Sequence, residues 1–136
     1  MTGYLLDTNV LSEVLKKRPE PGVLEKLQSM TPRRLATSVV CVFELRYGAV
    51  RQPEAERLWQ RIVREVLSRV RILPLGENEA LRAGDLLALL ASRGAVIGIE
   101  DVLIGATALS EGLAVATRNV RHFSRIPGLH VESWWS

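Results

Sequence analysis

The chain has 136 residues, 47% of them hydrophobic, which suits one domain (residues 1–136) with a real buried core. Its formal charge is +3, and only Lys16, Lys17 and Lys26 among its 18 basic residues are lysine; this arginine-rich balance admits a nucleic-acid partner without demanding one. The lone cysteine, Cys41, excludes an intrachain disulfide and a thiolate metal centre, no apolar run approaches the ~18 residues of a membrane helix, and no basic-then-apolar leader is visible, so the expectation is a cytoplasmic protein with no membrane partner.

Residues 3–7 predict a short buried strand that stops at Asp7. A helix follows over 9–17, ended by Arg18-Pro19-Glu20-Pro21, and a second spans 21–30. Leu35–Ser38 predicts another strand, then a helix over 39–51. Over 54–70 the residues Leu58, Ile62, Val66 and Val70 share one stripe, which predicts a long amphipathic helix with Trp59 in or beside the core. A strand over 71–75 and a helix over 77–93, capped by Gly94, come next. A helix over 100–111 stops at Gly112, a strand covers 113–117, and a last strand lies near 130–132. Short apolar strands alternating with helices define an α/β class with a parallel sheet covered on both faces. The carboxyl ends of such strands share one edge, where residues distant in sequence meet.

Four polar positions fall on or beside that edge. Asp7 is either a helix cap or an acid presented to a crevice. Glu44 lies in the apolar helix segment Val39–Leu45, so it needs a cation, a proton or a route to water; an ion pair with an arginine satisfies it as well as a site does. Asp101 fits the first turn of its helix, where the dipole favours acids, or the same crevice. Asn119 is a turn residue or a neutral oxygen ligand. The small pair Gly105-Ala106 either leaves space beside Asp101 or serves close packing. Crowded carboxylates without cysteine call for a hard cation, and all-oxygen ligands suit Mg²⁺ or Mn²⁺. His122 and His130 read as peripheral, and Trp134-Trp135 as a clamp of the tail onto the core in preference to a surface that stacks bases. No nucleophile-elbow serine or phosphate-cradling glycine loop is present.

Three blocks carry a family resemblance. "YLLDTNVLSEVLK", "SVVCVFELRYGA" and "IGIEDVLIGATALSEGLAVATRNVRHFSRIPGLHVESW" together resemble the PIN-domain ribonucleases, and among them the VapC-type toxins of bacterial toxin–antitoxin pairs. The family often has Ala-Ala at Gly105-Ala106, and a stricter acidic quartet has Asp where Asn119 stands. The resemblance implies a PIN-like three-layer α/β/α fold with a short, mainly parallel central sheet. It implies a metal-dependent endoribonuclease that leaves 5′-phosphate and 3′-hydroxyl ends. Asp7, Glu44, Asp101 and Asn119 carry over as the catalytic, metal-holding cluster, with Thr8 and Thr117 as supporting hydroxyls. Arg46, Arg118 and Arg121 either hold RNA phosphates or pair with the acids. A VapB-type antitoxin is the implied inhibitor, with a homodimer, a toxin–antitoxin hetero-oligomer, and operator DNA reached only through the antitoxin. Apolar helical surface near residues 10–30 and 54–70 is the expected docking or dimer face. The competing reading is a PIN-like module that binds RNA or a partner without cutting. An aspartyl-phosphate enzyme is disfavoured, because no lysine follows Lys26.

Overall fold

Tyr4–Leu6 forms β1, and all three residues are buried, as a strand covered on both faces requires. A computed structural model describes residues 3–136. After β1 come α1 (Thr8–Glu13), α2 (Pro21–Gln28), β2 (Leu35–Ser38), α3 (Val39–Val50), α4 (Ala55–Glu65) and β3 (Arg71–Leu73). Then follow α5 (Glu77–Ser92), α6 (Ile99–Glu111), β4 (Ala114–Ala116), α7 (Val120–Phe123) and β5 (Val131–Glu132).

The strands form one sheet in the order β3-β2-β1-β4-β5, and every pairing is parallel. β1 is therefore central, with Leu5 opposite Ala36 on one side and Val115 on the other. The chain moves outward through β2 and β3, then returns to the far side of β1 for β4. That reversal makes the crevice between the carboxyl ends of β1 and β4 the switch point where α/β sheets bind ligands. Leu5, Ala36, Val115 and Ala116 are completely buried beneath the flanking helices.

Local chemistry explains the element ends. The Ser38 side chain accepts from the Val40 N–H at 3.0 Å and caps α3. Gly94 and Gly112 adopt positive φ (63° and 66°) at the ends of α5 and α6, as their C-cap reading predicts. Gly105 faces packing rather than the crevice, since a Cβ there would meet Ile126 Cδ1 at 2.5 Å.

Two predicted helices are shorter than the pattern suggests. The helix expected over 9–17 ends at Glu13, because the buried Glu13 carboxylate turns back to accept the Glu20 N–H at 2.9 Å. The helix expected over 54–70 ends at Glu65. Val66 breaks it with φ −121° and ψ −65°, and a 3₁₀ turn over Leu67–Arg69 carries the chain into β3. That turn keeps Val66 and Leu67 on the buried face, so the hydrophobic stripe continues where the helix does not. α7 and a 3₁₀ turn over Pro32–Arg34 were not anticipated.

Candidate active site

Three acids and an asparagine reach the crevice from four separate places in the fold. Asp7 is the residue after β1 and also the N-cap of α1, accepting the Thr8 N–H at 2.8 Å. The cap and the site are thus one residue: Oδ1 caps the helix, while Oδ2 accepts the Thr117 hydroxyl at 2.7 Å and the Asn9 amide at 3.2 Å. Glu44, on α3, accepts the Thr8 hydroxyl at 2.7 Å. Asp101 lies in the first turn of α6, and the Asn119 side chain reaches it at 3.4 Å from the loop after β4.

Asp7, Glu44, Asp101 and Asn119 line one groove of about 420 Å³, together with Thr8, Asn9, Ser12, Glu13, Lys16, Arg118 and Trp135. Burial pushes the carboxyls of Asp7, Glu44 and Asp101 above their ordinary ranges. The hydroxyl of Thr117 and the N–H of Thr8 oppose that rise at Asp7, and the charge of Asp101 adds to it. Neither Asp7 nor Glu44 pairs with a lysine or arginine among the described residues, which removes the ion-pair explanation of Glu44. Partly desolvated carboxylates that repel one another, two of them with no lysine or arginine partner among the described residues, are a donor set that fits a hard dication.

Cys41 also approaches this cluster: its sulfur and one oxygen each of Asp7 and Glu44 lie within 4.8 Å of one another. It is not a ligand in waiting. Its thiol donates to the Leu6 carbonyl at 3.8 Å and is pushed up to about 11, chiefly by burial, so it stays protonated at neutral pH.

Of the three arginines singled out from sequence, Arg118 lines the groove. Arg46 does not. Two residues beyond Glu44 it faces the other side of α3, with its guanidinium 5.1 Å from the Trp59 ring centroid. Arg121 is exposed on α7 and outside the groove lining.

Two contributors were missed. His122, expected to be peripheral, places Nδ1 2.9 Å from Asn119 Nδ2 and 3.4 Å from Asp101 Oδ2. The clue was the spacing of Asn119 and His122, three apart on one helical turn. Asn9 bridges the central strands: it donates to Asp7 and accepts the Arg118 N–H at 3.1 Å. Its signal was its place two residues beyond a strand-ending acid. Trp134 is buried and clamps the tail as expected, whereas Trp135 lines the groove.

A parallel α/β sheet with an acidic groove at its switch point defines a class of α/β domain with a candidate cation site, and comparison specifies the family. The PIN domain family model matches residues 4–129, and the chain belongs to that family. It is 34% identical to the tRNA(fMet)-specific endonuclease VapC of Salmonella typhimurium, covering 98% of this chain and 99% of that one. It is 36% identical to ribonuclease VapC2 of Haemophilus influenzae, with the same coverage. Among solved structures, the DNA-bound VapBC complex from Salmonella typhimurium superposes with a TM-score of 0.89 at 34% identity, covering 98% of this chain and 99% of that one. VapBC2 from Rickettsia felis, bound to a promoter DNA fragment, gives 0.86 at 29% identity, covering 96% and 98%.

Proposed function

We propose that this chain is a divalent-metal-dependent endoribonuclease, the toxin of a toxin–antitoxin pair, and that a VapB-type antitoxin holds it inactive. The observation that carries the reading is the groove itself: Asp7, Glu44 and Asp101 converge at the sheet's switch point with their carboxyls raised by burial. Relatives named as VapC ribonucleases over nearly the whole chain support it.

Asp7, Glu44, Asp101 and Asn119 would hold Mg²⁺ or Mn²⁺. Such an ion, when bound, polarises a phosphodiester and lowers the pKa of a water molecule. The chain's own residues prepare the site. Thr117 and Thr8 fix the Asp7 and Glu44 carboxylates by hydrogen bonds of 2.7 Å each, so little reorganisation is left for the reaction. Asn9 ties the end of β1 to the loop after β4, and His122 braces Asp101 and Asn119. Attack by water on phosphorus, without the 2′-hydroxyl as nucleophile, breaks the P–O3′ bond, and the departing 3′-oxygen takes up a proton, which leaves 5′-phosphate and 3′-hydroxyl ends.

The antitoxin has an apolar place to dock. Leu11, Val14, Leu24, Leu27, Met30 and Val66 help line a second groove of about 500 Å³. We assign the homodimer contact to α3, where Val39, Phe43, Tyr47 and Val50 are 37%, 62%, 56% and 48% exposed along one stripe.

The test is RNA cleavage with end mapping. The wild-type chain should cut RNA in Mg²⁺ or Mn²⁺ and yield ends that ligate through a 5′-phosphate. EDTA, Asp7→Asn or Asp101→Asn should abolish cutting while the far-UV circular dichroism is unchanged. Undiminished cutting in EDTA would exclude the metal-dependent reading.

A further inference from the structure

The groove is not acidic throughout. Beyond Asn9 its wall is built from Glu13, Lys16, Arg118 and Trp135. Each of these is held in place. Trp134 is 4% exposed, packs edge-on to Tyr4 with ring centroids 5.2 Å apart, and donates its Nε1–H to Glu132 at 3.2 Å. The Trp134 carbonyl also lies where a Cβ on residue 22 would have to go, so Gly22 lets the tail seat against α2. With its neighbour anchored in this way, Trp135 is fixed at the groove, its ring centroid 5.5 Å from the Arg118 guanidinium carbon. The Arg118 backbone N–H donates to Asn9 Oδ1, which holds the main chain of this exposed residue beside the groove. Lys16 extends from the buried Glu13 carboxylate at 2.9 Å, and its own side chain is 56% exposed.

The electrostatics give this wall a task. RNA is a polyanion, and without a bound dication the end of the groove that holds Asp7, Glu44 and Asp101 repels it. Lys16 and Arg118 are the cations in the lining, so attraction for the phosphates comes through them. An aromatic ring beside paired cations is the combination that binds single-stranded nucleic acid: the ring stacks a base and the cations take the backbone.

We propose that Trp135, Arg118 and Lys16 form a nucleotide subsite that stacks an unpaired base adjoining the cleaved bond and holds its neighbouring phosphates. The proposal rests on the ribonuclease reading above. It adds that the RNA is single-stranded at this nucleotide, since a base paired in a duplex has no free face to offer Trp135.

The test uses the full chain carrying Asp7→Asn, which binds without cutting, and an unstructured fluorescent oligoribonucleotide followed by anisotropy. Trp135→Ala should weaken binding about tenfold or more, the scale of one lost base–aromatic stack. Trp135→Phe keeps a ring and should restore most of the affinity. In a series of oligonucleotides with one abasic nucleotide moved along the strand, one position should weaken binding to the Trp135 protein and add nothing to the loss in Trp135→Ala. Arg118→Gln and Lys16→Gln should each flatten the salt dependence of binding by about 0.7 in log–log slope, the signature of one phosphate contact on a single strand.

Equal abasic losses in the two proteins would overturn the subsite and leave the ribonuclease reading standing. So would an effect of Trp135→Ala on antitoxin affinity alone. If the parent protein binds no oligonucleotide and the wild type cuts no RNA, both readings fall together.

Discussion

Replacing Thr117 by valine changes one hydroxyl into a methyl of nearly equal volume at a position with no solvent exposure. That hydroxyl donates to Asp7 Oδ2 at 2.7 Å and accepts the Asn119 N–H at 2.8 Å. A hydrogen bond to a charged group contributes about 1.5–3 kcal/mol, and a neutral one about 1, so the variant should lose about 2–4 kcal/mol at neutral pH. For a chain of this length each kcal/mol moves the melting temperature by about 3–4 °C. The loss must depend on pH. Burial already raises the Asp7 carboxyl, so ionising it costs folding stability as pH climbs through the carboxylate range. Without the Thr117 donor the raised pKa rises further, and the gap between wild type and variant widens from acid to neutral pH. Urea unfolding in EDTA, from about pH 4 to 7.5, measures it, and Thr117→Ser should recover most of the loss because it keeps the hydroxyl. A gap under about 0.5 kcal/mol, the scale of an ordinary surface change, or one that does not vary with pH, would refute the account of how Asp7 is held.

Glu13→Gln tests the opposite sign. The salt-bridging hydrogen bond from Lys16 holds the Glu13 carboxyl below its ordinary value of 4.5, so its contribution is complete above that pH and fades as pH falls through the lowered one. The variant should cost about 1 kcal/mol at pH 7 and nothing measurable near pH 2, by denaturant titration. Mn²⁺ at a hundred times its dissociation constant should stabilise the wild type by about 2.7 kcal/mol and Asp101→Asn by far less, read as a shift in melting temperature. Gly105→Ala should destabilise by about 1–3 kcal/mol through its clash with Ile126, and Ile126→Val in the same chain should return most of it, which thermal melts will show. Phe43→Glu on the α3 stripe should convert a dimer to monomer in light scattering without loss of helicity; an unchanged mass would move the contact elsewhere.

The acids were legible because each broke a local pattern. Asp7 ends an apolar strand, Glu44 interrupts an apolar helix, and Asp101 opens one. Alternation of strands and helices was enough to predict a parallel sheet, and every observed pairing is parallel. His122 was read as peripheral because α7 is four residues long, too short for a period to stand out, and its contact with Asp101 spans 21 positions. The bond from Thr8 to Glu44 spans 36 positions, so no local reading fixes its geometry. The end of α4 was misplaced for a related reason. Hydrophobic spacing reports which face is buried, and the 3₁₀ turn at Leu67–Arg69 buries the same face as the helix before it. Arg46 is near Glu44 in sequence, yet helical geometry turns it to another face of α3, against Trp59.

The placement of β1 at the centre of the sheet has a consequence for synthesis. β1 receives its second neighbour only when Ala114–Ala116 has been made, and Thr117 follows directly behind. A nascent chain therefore carries Asp7 and Glu44 through all the synthesis from Glu44 to β4 without the partner strand that closes the crevice. A fragment that stops before β4 owns the leading acids yet has nowhere to assemble them, so closure of the crevice waits on residues 114–117.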